Sequence, residues 1–573
     1  MILQALHDYY RRLWDENRVA AQGFQEKEIP FVIVLDAKGK FVDLEDTRSG
    51  EGRNRRARRF VVPREVKRSG NNAWQSANLL WDNQGYVLGF TSGDLDKAAR
   101  QHQSFRDKVL EFFPDPVDEA IRAVLRFLDQ GKSKEVFQHP SWPEIAEKGG
   151  NLSFRLRGDT CLVCERPEIR KVVAAAAASD EAPGNRQACL ITGELDVPVR
   201  LHAPIKGVRG TNTTGGNIVS FNLPAFASFG KDQSLNAPVG QKAEFAYATA
   251  LNTLLARDSR HKLSVGDATT VFWAERRHSF EDVFADFFGE RAKDAPDQDI
   301  RQVVALYRSP QTGVRPELDP STRFFVLGLA PNAARIAVRF WYAGSVGEVA
   351  ASIGAHFDDL EIVAPTRWSP YLSLRTLLSG IALRGDLERV PPNLAGDFMK
   401  AILAGTPYPR TLLAAALRRV RAERDVTYPR AALVKAVLAR ETRYYGDPEK
   451  EVGMSLDGSN TNIGYCLGRL FAVLEKAQEE ASPGINATIR DRFYAGASAT
   501  PVAAFPHLLK LKNHHLAKLE NRGRAVNLER LIGEIMDGVS DVPAHLSLQD
   551  QGRFAVGYYH QRQDLFKKRE TTA

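Results

Sequence analysis

Apolar residues recur with a helical period at the beginning of the chain. Ile2, Leu6, Tyr9 and Leu13 are four, three and four positions apart, which places them on one face of an amphipathic helix. The next apolar segment, Phe31-Val32-Ile33-Val34-Leu35, is short and continuous, a pattern that favours a buried strand. The chain is therefore predicted to open with a helix followed by a strand.

Turn residues and a second apolar run follow that strand. Asp36-Ala37-Lys38-Gly39 leads into Phe41-Val42-Asp43-Leu44, which predicts a β-hairpin. Phe60-Val61-Val62-Pro63 is typical of a short strand that ends where proline cannot donate to a ladder. We predict a second hairpin, in the same sheet, that pairs Leu79-Leu80-Trp81 with Tyr86-Val87-Leu88. The segment between the two hairpins would be a loop presented by that sheet.

Helical and strand periods alternate in the next part of the chain. Helical patterns occupy about residues 94–147, a strand is predicted over 218–221, and a helix is predicted from Gln241 to Ala256. Residues 292–299 are polar and acidic, so we interpret them as a connector. Strand patterns return beyond this connector.

Two apolar runs, 323–329 and 334–341, flank a Pro-Asn turn and precede a helical pattern from Val346 to His356. A β-hairpin followed by a helix suggests an α+β layer of ferredoxin-like type. From about residue 370 onward strand patterns nearly vanish. Tyr408-Pro409-Arg410 and Tyr428-Pro429-Arg430 each place proline in the first turn of a helix, which predicts an antiparallel helix pair.

The last part of the chain is predicted to be a helical bundle that follows a Gly/Ser/Asn/Asp-rich break at 453–462. Its helical patterns cover 462–481, 504–521, 526–536 and 547–566, and Ser547 and Asp550 have capping-box spacing. The predicted fold class is α+β, with a mixed α/β N-terminal region followed by an all-α C-terminal bundle. We predict four regions, 1–150, 151–365, 366–452 and 453–573.

Composition adds localised charge to this picture. The 573 residues are 43% hydrophobic, enough for several cores, and the formal net charge is +8. No apolar run is long enough to cross a membrane, and the N-terminus lacks a basic region followed by an apolar core. We therefore expect a cytoplasmic protein with no membrane partner. Four cysteines in so long a chain do not predict a disulfide framework.

One segment, Arg48–Arg68, carries nearly all of the excess positive charge. It holds nine basic residues against Glu51 and Glu65. Eight of the nine are arginines, whose planar fork suits phosphates and base edges. Because such a segment repels itself unless an anion relieves it, nucleic acid is the first hypothesis. The alternative is a solvated basic loop without a partner.

A glycine-rich loop, 206–217, is the second candidate for nucleic-acid contact. It combines Lys206 and Arg209 with Thr211, Asn212 and four glycines, and exposed backbone N–H groups in such a loop can cradle a phosphate. No Gly-Lys-Ser/Thr opens a helix there, so the loop differs from that of nucleotide hydrolases. A plain flexible turn is the alternative.

A third basic group lies near the C-terminus. Lys510, Lys512, Lys518, Arg522 and Arg524 belong to this group, with His514, His515 and Arg530. A cationic helix face close to Tyr558 and Tyr559 suits a single strand held by charge and stacking. An ordinary solvated helix face is equally compatible with this pattern.

Metal and catalytic motifs are weak. Cys161 and Cys164 have the spacing of a zinc knuckle, which Cys189 or His202 would have to complete, but the second Cys-x-x-Cys is missing. We expect no metal and no cofactor, with buried thiols as the preferred interpretation. The pairs His7-Asp8 and His356-Phe357-Asp358-Asp359 lack further ligands, and no nucleophile motif or Walker lysine occurs. We expect a protein without catalytic activity.

Short segments spread over nearly the whole chain resemble the large subunit of the type I-C CRISPR interference complex, the I-C Cascade. The matching segments are Met1–Leu6, Leu80–Asn83, Tyr86–Gly89, Ile205–Val208, Ser220–Asn222, Ser228–Gly230, Asn236–Pro238, Ala250–Leu255, Val326–Asn332 and Arg339–Trp341. They follow the order found in that family, so the resemblance does not depend on one motif.

The resemblance implies a non-catalytic subunit that recognises a protospacer-adjacent motif in double-stranded DNA and promotes duplex opening. It also implies contacts with the guide-RNA-bearing backbone and guide 5'-end subunits, the small subunit and a helicase-nuclease. Base pairing by the guide supplies sequence choice in such complexes, while protein supplies motif reading and backbone grip. The C-terminal region resembles the small subunit, and Met454 is a candidate internal start for a separate copy.

Within that picture we assign roles to the basic segment. The residues expected on duplex phosphates are Arg53, Arg55, Arg56, Arg58, Arg59, Lys67 and Arg68. Asn71 and Asn72 are candidates for reading motif edges, and Trp74 is a candidate wedge, although tryptophan is more often a core residue. The competing functions are a guide-processing endoribonuclease, which needs a general acid or base beside a basic cleft, and a structural scaffold.

Overall fold

The computed structural model describes the chain in thirteen ranges. These are 1–16, 18–50, 55–66, 68, 72–91, 93–129, 133–179, 186–221, 223–288, 319–366, 368, 372–446 and 452–566. The chain forms two compact units. The first unit contains Leu3–Ala203 and Ser220–Ala250, and the second contains Pro204–Val219 and Leu251–Ala573. The connector predicted over 292–299 lies outside the described residues.

A four-stranded sheet carries the core of the first unit. Its strands are β2 (Phe31–Leu35), β3 (Phe41–Asp46), β5 (Trp81–Asn83) and β6 (Asn151–Leu156), in the order β3-β2-β6-β5. β2 pairs antiparallel with β3, which confirms the first hairpin, and parallel with β6. Every residue of β2 is buried because the strand lies inside the sheet and is covered on both faces, as a continuous apolar run requires.

Helices make up most of the rest of the first unit. They span Ile2–Asp15, Gln84–Leu88, Leu95–Phe112, Glu119–Asp129, Ser133–Val136, Trp142–Lys148, Pro167–Ser179 and Gln241–Leu254. The first helix buries Leu6, Tyr9 and Leu13, as their spacing predicts. The helical period over 94–147 is likewise confirmed.

The predicted second hairpin is wrong. β5 pairs with β6, with Trp81 opposite Ser153, and residues 84–88 form a helix. The Asn83 side chain accepts a hydrogen bond from the backbone N–H of Gly85 and caps that helix. Asparagine thus acts here as a helix cap, although the sequence Asp82-Asn83-Gln84-Gly85 looks like a turn.

The basic segment connects two different sheets. After β3 the chain reaches β4 (Arg59–Pro63), which pairs antiparallel with β1 (Phe24–Glu28) in a two-stranded sheet. Ser49 and Arg56 exchange two backbone hydrogen bonds of 2.8 Å and close the loop between them. The strand predicted at Phe60 is confirmed, but the loop does not hang between two hairpins of one sheet.

The second unit contains an antiparallel sheet whose strands follow chain order. Its strands are β9 (Lys262–Val265), β10 (Ala268–Ala274), β11 (Arg323–Asn332) and β12 (Arg335–Ser345). The hairpin of β11 and β12 and the following helix, Val346–Leu360, confirm the prediction. A ferredoxin-like layer contains parallel neighbouring strands joined by a crossover helix. Each neighbouring pair in this sheet is antiparallel and follows chain order, so the prediction of a ferredoxin-like segment is wrong, although the α+β class holds.

The predicted strand over 218–221 is wrong, and three short elements complete the description of the strands and of the helix after β10. Residues 218–221 do not form a strand, since only Asn217 makes an isolated bridge, to Arg335. The two-residue strands β7 (Gln187–Ala188) and β8 (Leu195–Asp196) pair in the first unit. The helix Phe280–Phe288 follows β10.

Helices make up the rest of the second unit. They span Leu374–Ile381, Pro392–Ala404, Arg410–Glu423, Tyr428–Tyr445, Ile463–Ala481, Ile489–Ala499, Pro501–Lys518, Arg522–Met536 and Leu548–Phe566. The capping box at Ser547 and Asp550 is formed, and the α+β fold class is confirmed. The helix Ile489–Ala499 was not predicted. Buried residues from Leu263 to Tyr559 form one hydrophobic core, and our division into four regions stays a prediction.

Candidate nucleic-acid interface

The basic segment is held in place by carboxylates from outside it. The guanidinium of Arg48 donates to Asp46 and to both carboxylate oxygens of Glu144, at 2.8–2.9 Å. Its hydrogen bonds lower the pKa of Glu144 to about 2 and lower the pKa of Asp46. Arg55 donates to Asp46 at 2.5 Å as well. Part of the self-repulsion expected from the sequence is therefore relieved within the protein.

Three more arginines of the segment also have acidic partners. Arg59 lies 4.0 Å from both Glu26 and Glu28, and Arg64 lies 3.7 Å from Glu244. Arg68 pairs with the buried carboxylate of Asp82, donates to the Ser76 carbonyl at 2.7 Å and lies over the Tyr86 ring. Burial raises the pKa of Asp82, and Arg68 opposes that shift. The Arg68 side chain thus has partners within the first unit, unlike the arginines that point to solvent.

Arg56 and Arg58 differ from the other exposed arginines of the segment, Arg55, Arg59 and Arg64. Neither forms an ion pair with any residue that the structure describes. The Arg56 backbone is fixed by its bridge to Ser49, and the Arg58 guanidinium lies 5.0 Å from the centroid of the Phe60 ring. The backbone N–H of Arg58 also donates to Thr47 at 3.3 Å. Arg56 and Arg58 are thus exposed and have no acidic partner within the described ranges.

The candidate base-reading residues lie beyond β4. Asn72 is exposed, and its carbonyl accepts from the backbone N–H of Gln75 at 3.0 Å. Trp74 is half-buried, with the Arg100 guanidinium 5.5 Å from its ring centroid. Arg53, Lys67 and Asn71 lie outside the described residues. The Asn72 side chain makes no hydrogen bond that caps the short helix after it, whereas Trp74 is partly covered.

Backbone hydrogen bonds hold the glycine-rich loop, both within it and to side chains outside it. Ile205 and Gly216 exchange hydrogen bonds of 2.8 and 2.9 Å. The N–H groups of Lys206, Arg209 and Gly215 donate to Asn252, Thr269 and Asn212. A Cβ at Gly215, where φ is +92°, would meet the Ile205 carbonyl oxygen at 2.6 Å. These N–H groups donate inside the protein, which weakens the expectation of a phosphate cradle, and the choice between a contact loop and a plain turn stays a prediction.

Side chains of that loop remain on the surface of the second unit. Lys206 and Asn212 are exposed, and the Thr211 hydroxyl donates to the Val208 carbonyl at 2.7 Å. Arg209 pairs with Glu388 at 2.6 Å, but both side chains are more than half exposed, so water weakens this pair. Polar contact through side chains therefore stays possible at this loop.

An exposed aromatic residue, which the sequence reasoning missed, lies in the first unit. Phe229 is 99% exposed at the tip of a tight turn closed by Ser228 and Lys231. Phe229 and Gly230 have φ values of 51° and 68°. The left-handed region costs a residue other than glycine about 1–2 kcal/mol. The signal in the sequence was the match Ser228-Phe229-Gly230, where an aromatic residue stands in a turn that favours asparagine or glycine.

The C-terminal basic group is partly neutralised. Lys512 pairs with Glu529 at 3.0 Å, and Arg524 makes a two-bond pair with Glu480. Lys510, Lys518 and Arg522 are exposed and form no ion pair with described residues. Lys510 and Lys518 are eight positions apart on the helix Pro501–Lys518, so they lie on one face.

Tyr558 and Tyr559 are core residues. Each is 3% exposed. The Tyr558 hydroxyl donates to Glu475 at 2.5 Å, and that of Tyr559 donates to the Val363 carbonyl at 2.8 Å. The expectation that they stack on a nucleic-acid strand is therefore wrong. The sequence could not show this, because residues on the inward and outward faces of a helix recur with the same spacing.

A comparison with known families decides the identity at the family level. Residues 6–566 match the family described as CRISPR-associated protein (Cas_Csd1). The chain belongs to the Cas_Csd1 family. Membership confirms the CRISPR-associated Cascade subunit that the resemblance implied, while the type I-C assignment stays a prediction. No curated protein matches this Cas_Csd1 chain.

The cysteines of this Cas_Csd1 chain are thiols in protein surroundings. Cys164 is fully buried, and burial raises its pKa. Burial raises the pKa of Cys189. The backbone N–H groups of Gly240 and Ile191 donate to its sulfur and outweigh that effect, so the pKa of Cys189 is lowered. Within the described ranges no three His, Cys, Asp or Glu side chains are placed to hold a metal. His202, the other candidate ligand, bonds to the Tyr247 hydroxyl at 2.6 Å.

The histidines considered for chemistry have structural partners. His356 is buried, and its Nδ1 lies 2.6 Å from the Tyr408 hydroxyl. Burial lowers the pKa of His356 to about 3, so the ring is neutral. His7 Nδ1 lies 3.4 Å from Asp8. In the part of the chain that the structure describes, no helix is both long and apolar enough to cross a membrane.

Proposed function

We propose that this Cas_Csd1 chain is the non-catalytic, DNA-binding large subunit of a type I-C Cascade in the cytoplasm. In this role it recognises the protospacer-adjacent motif in duplex DNA, promotes duplex opening and R-loop formation, and helps to recruit the helicase-nuclease. The observation that carries the proposal is the pair of exposed guanidinium groups, Arg56 and Arg58, which have no ion pair with a described residue, in a CRISPR-associated protein.

We assign the contacts with the phosphates of the DNA backbone to the basic segment. Arg48 and Arg55 are tied to Asp46 and Glu144, so they orient the loop. Arg56 and Arg58 remain to neutralise phosphates, and Arg59 contributes because its pairs with Glu26 and Glu28 are long and exposed. Arg53 and Lys67 stay predicted phosphate contacts. Each phosphate neutralised releases counterions and makes the affinity depend on salt.

Motif reading is assigned to Asn72, together with Asn71 from the sequence prediction. An asparagine amide can both donate and accept on a base edge. Duplex opening is assigned to Phe229 in place of Trp74. A nearly fully exposed aromatic ring on a closed turn has the form of an apolar side chain that inserts between base steps.

The second unit supplies further contacts. Lys510 and Lys518 lie on one face of their helix, and Arg522 follows at the start of the next helix. We assign these residues, with Lys206, Arg209, Thr211 and Asn212, to the phosphates of separated strands or of the guide. Contacts with the guide-RNA-bearing subunits, the small subunit and the helicase-nuclease belong to the same proposal.

Binding of the assembled complex to target duplexes tests this proposal. Arg56→Ala and Arg58→Ala together should weaken binding to every sequence and reduce its salt dependence, while Asn72→Ala should change which motifs are selected from a library. Arg126→Ala, which removes an exposed arginine of the helix Glu119–Asp129, is the matched control. Binding that matches the control in both variants would favour the scaffold function.

A guide-processing endoribonuclease is the second candidate from the sequence. It needs a general acid or base with a suitable pKa beside bound RNA. The purified chain is expected to leave repeat RNA intact in the absence of metal. Cleavage that persists through successive purification steps, in proportion to the chain, would replace the non-catalytic proposal.

A further inference from the structure

A cavity of about 490 Å³ opens in the first unit, between its N-terminal helix and the helix that begins at Gln241. Its volume falls within the range of roughly 300–1,000 Å³ that is usual for small-molecule sites. His7, Arg11 and Trp14 follow one another at helical spacing along one side of the N-terminal helix. One side of the cavity therefore carries an imidazole, a guanidinium and an indole ring in a row.

Aromatic rings form the apolar part of this cavity. Phe245 is buried, and Tyr10 meets it edge to face, with ring centroids 5.7 Å apart. Trp14 also lines the cavity, and it is 46% exposed. The Tyr10 hydroxyl donates to the Ala20 carbonyl at 3.2 Å, which fixes that ring. Trp14 thus leaves an open aromatic surface beside two rings that are held in place.

The polar part of the cavity is cationic. Arg11 and Lys242 are exposed, and neither side chain forms an ion pair with a described residue. No carboxylate is found among the described residues that line the cavity. Arg64 of the basic segment lies 5.6 Å from the Phe245 ring centroid, and it approaches Glu244 at 3.7 Å. The amide of Gln22 adds a donor and an acceptor.

We propose that this cavity binds one nucleotide of a single-stranded nucleic acid. The base stacks on Trp14 beside Tyr10 and Phe245, and the phosphate is neutralised by Arg11 and Lys242. An aromatic surface next to unpaired cations is the combination that holds single strands, because every base has a π-face and every link has a charge. The Gln22 amide faces the polar edge of the base.

This inference goes beyond the proposed function, which gives the cavity beside the N-terminal helix no role and assigns no pocket for a single base. A double helix keeps its bases stacked on one another, so the cavity is of use only for a nucleotide that has left the stack. Burial raises the pKa of Tyr10 to about 12, so its hydroxyl remains neutral and does not repel a phosphate.

The test compares two single strands that differ only in their bases. The full-length chain is titrated with a short oligothymidylate and with an abasic deoxyribose-phosphate oligomer of the same length. We expect the oligothymidylate to bind roughly tenfold or more tightly than the abasic oligomer, because stacking of one base on an aromatic ring adds that much to the affinity. Trp14→Ala should abolish this difference, and Trp14→Phe should largely keep it. Arg11→Ala with Lys242→Ala should weaken both oligomers alike.

The proposal is overturned if the wild-type chain does not distinguish the two oligomers, or if Trp14→Ala leaves the difference unchanged. Thymidine monophosphate in a parallel titration separates the two sources of the ligand. Trp14-dependent binding of the monophosphate indicates a site for free nucleotides as well as for strands, and its absence indicates a site for strands alone. Duplex binding should be the same in Trp14→Ala as in wild type, so this result is independent of the function proposed for Arg56 and Arg58.

Discussion

Arg48 and Glu144 form a two-bond ion pair between residues that are 96 positions apart, with N–O distances of 2.9 and 2.8 Å. The pair joins the start of the basic segment to the helix Trp142–Lys148. Both side chains are largely shielded, at 15% and 31% exposure, so the geometry is better defined than in a pair on an open surface. It attaches Arg48, the first residue of the basic segment, to the rest of the first unit.

The first prediction concerns pH and Glu144→Gln. The Arg48 hydrogen bonds hold the pKa of Glu144 at about 2, whereas an unfolded glutamate titrates near 4.3. A carboxylate with a lowered pKa contributes stability above its unfolded pKa and loses that contribution as the pH falls towards its folded pKa. We expect the wild type to lose more thermal stability than Glu144→Gln between about pH 4.5 and pH 2.

Glu147→Gln is the matched control, because Glu147 is exposed on the same helix. Its melting temperature should follow that of the wild type across the pH range. Parallel curves for wild type and Glu144→Gln would show that the Arg48 pair contributes nothing.

The second prediction separates paired from unpaired arginines. Arg56→Ala should lower the slope of log affinity against log salt by about 0.9, the value for one phosphate contact. Arg55→Ala should lower it less, because its guanidinium is already neutralised by Asp46 at 2.5 Å. Binding of the assembled complex to duplex DNA at several salt concentrations measures both slopes. Equal slopes for the two variants would contradict the division of roles.

The third prediction concerns the turn at Phe229. Asparagine tolerates positive φ better than phenylalanine does, so Phe229→Asn should leave the protein as stable or stabilise it by up to about 1 kcal/mol. The same substitution should abolish base unstacking, measured by 2-aminopurine fluorescence in a target duplex. Leu223→Asn, at a 54% exposed position of the same segment, is the control. Normal unstacking by Phe229→Asn would remove the assigned wedge.

The fourth prediction concerns a buried cation in the second unit. Arg440 donates to Asp359 at 2.6 Å, Arg443 donates to the same carboxylate at 2.7 Å, and both Arg440 and Asp359 are about 1% exposed. Removal of one partner leaves an uncompensated charge, so Asp359→Ala should cost about 3–5 kcal/mol. Chemical denaturation measures this loss. Asp397→Ala, at an exposed position, should change stability by less than about 0.5 kcal/mol.

Several elements could be predicted because their causes are local. The strand Phe31–Leu35, the first helix and the capping box at Ser547 depend on residues only a few positions apart. The helix Ile489–Ala499 had a local signal as well, the capping box of Thr488 and Asp491, but its apolar pattern is weak. The false hairpin at 79–88 arose because β5 takes its partner from residues 151–153, about seventy positions away.

The candidate site shows the same limit. The sequence located the basic segment but could not show that Glu144 and Asp82 neutralise part of it. It placed Tyr558 beside lysines, although the side chain points into the core. It offered Trp74 as a wedge and overlooked Phe229, because exposure depends on which neighbours the fold brings to a ring.

The sequence by itself determined the fold class, the family and the position of the basic segment, since helical period, strand period and local charge are properties of neighbouring residues. Only the tertiary structure decided which cations are free. An ion pair depends on the distance between two groups in space, and the acids that pair with Arg48 and Arg68 come from separate elements of the fold.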